Sequence, residues 1–162
     1  MTNVLTLSDF AQHILHQIKK RNMSLNYAEL KAVVALSFID IVQRHSEHPV
    51  DENIHDFVAS YNETPIMLDT DNGIDIPVLI PYYHVYGDGL IRDFGESYVP
   101  FKQYNDVIDA WINVVHQQTM VDITHNFKQT PLFRVPKQYP SFIESDRYLL
   151  SDIMAIDLNK FK

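Results

Sequence analysis

The sequence predicts a mainly α, α+β protein: a compact bundle of about five to six helices with a small β-hairpin or short sheet inserted in the middle. Three observations carry that prediction. Apolar residues recur at helical spacing from Phe10 to Val42 and again from Val107 to Val115. Between these blocks, residues around 62–81 change to short apolar runs on either side of Asp69-Thr-Asp-Asn-Gly73, and Asn-Gly is a strong tight-turn signal. The chain of 162 residues, 46% hydrophobic and 21% charged, is the size and composition of one domain that buries its own core. Residues 1–162 are therefore read as a single domain with a β-rich insertion around 62–81.

Each element has a local cause. Thr6-Leu-Ser-Asp9 reads as a helix start, and Phe10, Ile14, Leu15 and Ile18 then share one face over roughly residues 8–21. Lys19, Lys20 and Arg21 suit the negative end of that helix dipole. Asn26 with Glu29 repeats the start signal. The run from Tyr27 to Arg44 is apolar on most sides, as expected of a buried central helix, and Ala28, Ala32 and Ala35 allow close approach. After Pro49, Asp51 can cap a short helix carrying Ile54, Phe57 and Val58.

Pro65–Leu68 and Ile74–Ile80 are expected as two short strands, the second confined to a sheet edge by Pro77 and Pro81. The stretch from His84 to Gly95 holds Gly87, Gly89 and Gly95 and reads as loop or turn. A helix follows from Asn105, with Val107, Ile108, Trp111, Ile112 and Val115 at helical spacing. Thr119-Met-Val-Asp122 starts another. Pro131, Pro136 and Pro140 hold an extended connector, and Ser145 opens a last helix with Leu149, Leu150, Ile153, Met154 and Ile156.

Composition excludes several functions. There is no cysteine, so disulfides, thiolate catalysis and cysteine-ligated metal are excluded, and a reducing cytosol fits. Neither a signal peptide nor an apolar run long enough to span a membrane is visible. The formal net charge is −8, which disfavours a nucleic acid as the main ligand and suits a partner with a basic face. A basic recognition helix of the kind a DNA-binding repressor needs is also missing.

The motifs that suggest chemistry have plainer explanations. Counting an EF-hand loop from Asp69 places Ile74 at the glycine position and Ile80 at the glutamate position, so a hairpin turn is the better reading. Gly87-Asp-Gly89 lacks the Lys-Ser/Thr of a phosphate loop. Asp122, Thr124, His125 and Ser141 contain the residue types of a triad, but no nucleophile elbow accompanies them. Helix capping accounts for Thr119 and Asp122, and a buried, hydrogen-bonded ring accounts for His125. Among the eight histidines, His13 and His16 share a spacing of three, as do His45 and His48, with Glu47, Glu52 and His55 nearby. Zinc needs ligands converging from separate parts of the chain, and solvated surface histidines are the stronger reading. No cofactor, metal site or catalytic residue is assigned.

Three blocks, in order, resemble the Panacea family, the SocA-like antitoxins of phages and prophages. "DFAQHILHQIKKRNMSLNYAELKAVVALSFIDIV", Asp9 to Val42, is similar to the family's opening helix pair. "HVYGDGLIRDFGESYVPF", His84 to Phe101, resembles its Trp-x-x-Gly-Pro-Val segment and the aromatic stretch after it. "MVDITHNFKQTP", Met120 to Pro131, resembles its Leu-Ser-x-Leu-Thr-His element with the following proline. The closing segment from Asp146 to Phe161 matches the usual final helix. The chain departs from the pattern at His84, where the family has tryptophan, at Asp88, where it has proline, and in the insertion Asn62–Pro81.

The resemblance implies a cytoplasmic protein-binding module, not an enzyme. Such a module is antitoxin-like or phage-encoded and neutralises a toxin or another host protein by direct contact, with a homodimer as a further assembly. Gly87, Thr124, His125 and Pro131 are its family-motif positions, expected to be structural. Tyr82, Tyr83, His84, Tyr86, Phe94, Tyr98 and Phe101 form the candidate partner-binding set. Such aromatics serve either as interface hot spots or as core. The alternative from another class is a metal-dependent hydrolase built on His45, His48 and His55.

Overall fold

Helix α1 spans Leu7–Lys20, and its start is a reciprocal cap. The Thr6 hydroxyl accepts from the Asp9 N–H at 3.2 Å, while the Asp9 carboxylate accepts from the Thr6 N–H at 3.0 Å. Its end is a Schellman turn. Asn22 takes the left-handed conformation at φ 55, its N–H reaches the Lys19 carbonyl, and the Met23 N–H reaches the Ile18 carbonyl. Asparagine is among the few residues that adopt this conformation readily. Helix α2, Tyr27–Glu47, begins with a second reciprocal cap, in which Glu29 N–H donates to Asn26 Oδ1 at 2.8 Å and Asn26 N–H to Glu29 Oε1 at 3.1 Å.

The computed structural model describes residues 5–47, 52–59, 68–70, 73–76, 79, 95–129 and 153–162. Helix α3 is Glu52–Ala59, α4 is Asn105–Gln117 and α5 is Met120–Lys128. A 3-10 segment, Val99–Tyr104, leads into α4 with Pro100 in its first turn. A second one, Leu158–Phe161, lies near the C-terminus. The chain is mainly helical. Among the described residues, no helix is long and apolar enough to cross a membrane.

Helix α2 is the centre, as its all-round apolar pattern requires. It packs against α1, α3, α4 and α5. Leu30, Val33, Val34, Leu36, Phe38, Ile39, Ile41 and Val42 are all buried, and so are Ala32 and Ala35. Each large apolar side chain buried this way contributes about 1.5–3 kcal/mol of transfer free energy. Helix α1 adds Phe10, Ile14 and Ile18 to the same core, and α4 adds Ile108, Trp111, Ile112 and Val115.

The extended structure is slighter than the sequence suggests. Leu68–Thr70 (β1) and Gly73–Asp75 (β2) pair antiparallel, with Leu68 opposite Asp75, Asp69 opposite Ile74 and Thr70 opposite Gly73. The expected strand over Ile74–Ile80 does not extend past Asp75. At Leu79 the N–H turns back to the Ile76 carbonyl at 2.9 Å, and Pro77 has no N–H to give to a ladder.

Of the expected last helix, Ser145, Leu149 and Leu150 lie outside the described residues, and its end differs. Ile153 and Met154 are helical, but the helix ends there, and Asp157 caps the 3-10 segment that carries Phe161 into the core. The Ile153 and Ile156 carbonyls accept from Gln43 Nε2, at 3.1 and 2.9 Å, and the Ile153 carbonyl also accepts from the Ile156 N–H at 3.3 Å. Phe161 packs on Phe127 with ring centroids 4.7 Å apart.

Candidate partner-binding site

The segment from Gly95 to Tyr104 lies on α1, and three contacts position it. Gly95 has φ +65, and a methyl group there would stand 2.2 Å from the Gln12 carbonyl oxygen and 2.6 Å from the His16 nitrogen. Only glycine fits such an approach of backbone to backbone. One residue on, the Glu96 N–H donates to the Gln12 carbonyl at 3.2 Å. The Tyr98 N–H then donates to His13 Nδ1 at 2.9 Å.

This strap sorts its side chains sharply. Phe101 is 0% exposed and packs on Phe10 and Phe57, each with ring centroids 5.1 Å away. Phe101 is therefore core, a correction to its place in the partner-binding set, because the 3-10 turn drives its ring between α1 and α3. Val99 points the other way and is 74% exposed, comparable to Val121 on α5 at 78%. Tyr98 is half-buried, with its hydroxyl 3.4 Å from Glu96 Oε2. Partial burial holds its phenol above the ordinary value, and the carboxylates of Asp9 and Glu96 add to that. Tyr82, Tyr83, His84, Tyr86 and Phe94 lie outside the described residues.

His13 is the hub beneath the strap. It is buried, not solvated as its sequence setting suggests. Its Nδ1 accepts from a backbone N–H, so that nitrogen carries no proton. The proton is then on Nε2, which donates to Asn105 Oδ1 at 2.7 Å. The ring lies 5.7 Å from that of Phe101. Burial pushes its pKa below the usual imidazole value, against the opposing bond to Asn105, and nearby His16 and Lys102 lower it further.

The His13–Asn105 bond is one rung of a ladder. Gln17 Nε2 donates to Asp109 Oδ1 at 3.1 Å, and Arg21 donates to Asn113 Oδ1. All three pairs are separated by 92 residues. That constant separation means α1 and α4 run parallel, with successive turns in register. Arg21 also forms an ion pair with Asp109 at 3.6 Å.

The family-motif positions divide. Thr119 caps α5, accepting from the Asp122 N–H at 3.2 Å. His125 is exposed, which corrects the expectation of a buried ring. Its Nε2 meets Nε2 of Gln129, the residue that ends this helix, at 2.9 Å. Ile123 and Phe127 bury the opposite face and hold α5 to the body, leaving Thr124 half-buried beside them. Gly87 and Pro131 lie outside the described residues. His45 is buried, not solvated as expected, and its ring lies 5.7 Å from that of exposed His55, while His48 lies outside the described residues. Among the described residues no group of three or more histidines and acids could hold a metal ion.

Sequence reasoning missed Asp40. It is 8% exposed in the middle of α2. Its Oδ2 accepts from Trp111 Nε1–H at 2.7 Å, and its Oδ1 from Arg44 Nε at 2.8 Å. The available signal was one acid inside an apolar helix together with the chain's single tryptophan, since a buried indole N–H needs an acceptor. Lys162 Nζ stands over the Trp111 ring at 5.5 Å. No protein-family model, curated protein or solved structure matches the chain.

Proposed function

We propose that this chain is a non-enzymatic protein-binding module, antitoxin-like or phage-encoded, that neutralises a toxin or another host protein by direct contact. The observation that carries the reading is the display of Val99. An apolar side chain 74% exposed sits beside half-buried Tyr98 on a backbone fastened to α1. A rigid, preordered apolar and aromatic projection loses little entropy on docking and is the kind of feature interfaces use as a hot spot. Asp9 and Glu96 border it, and the net charge is −8, so the partner it fits has an apolar pocket rimmed by basic groups. The order of the three family-like blocks supports the same reading.

The test is growth rescue and complex formation. The product of the neighbouring gene, expressed alone, should arrest growth, and co-expression of this chain should relieve the arrest with a stable complex recovered. Val99→Asp should abolish that complex while leaving thermal stability unchanged. A complex equally strong with Val99→Asp and with Tyr98→Ala would overturn the assignment of the surface. The hydrolase alternative on His45, His48 and His55 predicts bound metal in the purified protein and a thermal shift with zinc. Metal-free protein with no such shift removes it.

A further inference from the structure

We infer that His13 is a proton-operated latch: its protonation releases the Gly95–Tyr98 strap from α1 and so withdraws the ordered Tyr98–Val99 projection. The geometry alone makes the bond conditional. His13 Nδ1 can accept the Tyr98 N–H only while it carries no proton. An imidazolium would set two donors against each other at 2.9 Å. Its other nitrogen keeps its place, because Asn105 Oδ1 accepts from Nε2–H in both charge states. Protonation therefore breaks one side of the ring's contacts and leaves the other intact, which is how a latch differs from a general loss of packing.

The surroundings favour release over rescue of the cation. Lys102 on the 3-10 segment and His16 on α1 are the charged and titratable groups acting on the ring, and both oppose a further positive charge. The acids of the adjoining elements have other bonds or face solvent. Asp9 accepts from the Thr6 N–H, Glu96 accepts from the Tyr98 hydroxyl, and Asp109 pairs with Gln17 and Arg21. Asp106 on α4 and Asp56 on α3 are exposed. What holds the strap after that is the Glu96 N–H to Gln12 bond, at 3.2 Å, the fit of Gly95 and, beyond Tyr98, buried Phe101, whose N–H donates to the Tyr98 carbonyl at 3.0 Å, so release is confined to the stretch around Tyr98 and Val99.

The latch deepens the binding reading only in its consequence; it is measured in the free protein. Hydrogen exchange of the Tyr98 amide in the full chain, corrected for intrinsic rate, should be slow at pH 7.5. It should accelerate below pH 6.5 by up to about tenfold per pH unit, the limit for one coupled proton. Over the same range the amides of Leu36 and Ile39 should stay protected. Ring nitrogen spectra should show the Nε2–H tautomer of His13 at the high end and the imidazolium at the low end. Asn105→Asp, which places a carboxylate on Nε2, should move the transition to higher pH. A Tyr98 amide indifferent to pH, a transition unmoved in Asn105→Asp, or parallel acceleration at Leu36 and Ile39 would each overturn the latch. Failure of the partner to bind at pH 7.5, where the latch is closed, would count against the binding reading alone.

Discussion

Gly95→Ala is the sharpest test of how the strap is held. The added methyl group meets the Gln12 carbonyl oxygen at 2.2 Å and the His16 nitrogen at 2.6 Å, both backbone atoms of α1 that cannot swing aside. The strap must lift instead. Alanine at φ +65 costs about 1–2 kcal/mol by itself. Lifting also gives up the Glu96 and Tyr98 N–H bonds to α1, at about 1 kcal/mol each. The stiffer unfolded chain offsets less than about 1 kcal/mol of this. The net loss is about 2–4 kcal/mol, short of the about 5–15 kcal/mol that holds a typical domain, so the fold survives and the strap does not. Urea unfolding measures the loss, and hydrogen exchange at Glu96 and Tyr98 locates it. A loss below about 1 kcal/mol with both amides still protected would show that the strap does not rest on α1 as described.

Three further perturbations separate the parts. His125→Ala should change urea stability by no more than about 0.5 kcal/mol, because the ring is exposed, while Phe127→Ala on the buried face should cost about 3–5 kcal/mol. Equal losses would return His125 to the core. Trp111→Phe removes the buried donor to Asp40 and should cost about 2–3 kcal/mol, the worth of a hydrogen bond to a carboxylate, and Asp40→Asn made in that background should cost less than in the wild type. Equal costs in both backgrounds would refute the coupling. His13 also sets a pH dependence whose sign follows from its lowered pKa. Above about pH 6.5 the ring is neutral in both folded and unfolded chains, and its contribution is complete. As pH falls from there towards the folded value, the unfolded chain takes the proton first. Stability then drops by up to about 1.4 kcal/mol per pH unit and levels off below the folded value. Urea midpoints of His13→Gln should lack this slope.

Much of the fold was legible because local causes act alone. Thr6 with Asp9, Asn26 with Glu29, and Thr119 each satisfy helix N–H groups within three residues, so a short window of sequence contains the whole reason for the helix start. The burial of α2 was legible for a similar reason, since no face of it is polar enough to meet water. The end of the last helix was not legible, because the contact it makes is distant. Gln43 takes the Ile153 and Ile156 carbonyls, and nothing within residues 153–162 announces that contact.

The candidate site was less legible because its meaning depends on register between segments far apart. His13, Gln17 and Arg21 recur every four residues, and so do Asn105, Asp109 and Asn113. Either set alone reads as the wet face of an amphipathic helix. Together they form a seam that is buried at His13 and Gln17 and opens to solvent at Asn113, because two helices in parallel register place each polar group against its complement. A polar residue is costly to bury only when it lacks a partner. A histidine with both nitrogens committed can therefore sit in the core, and an exposed one such as His125 can sit in a motif that looks chemical. Polarity along the chain does not show which histidine is tied into the fold; ring nitrogens committed to distant groups do, and His13 commits both.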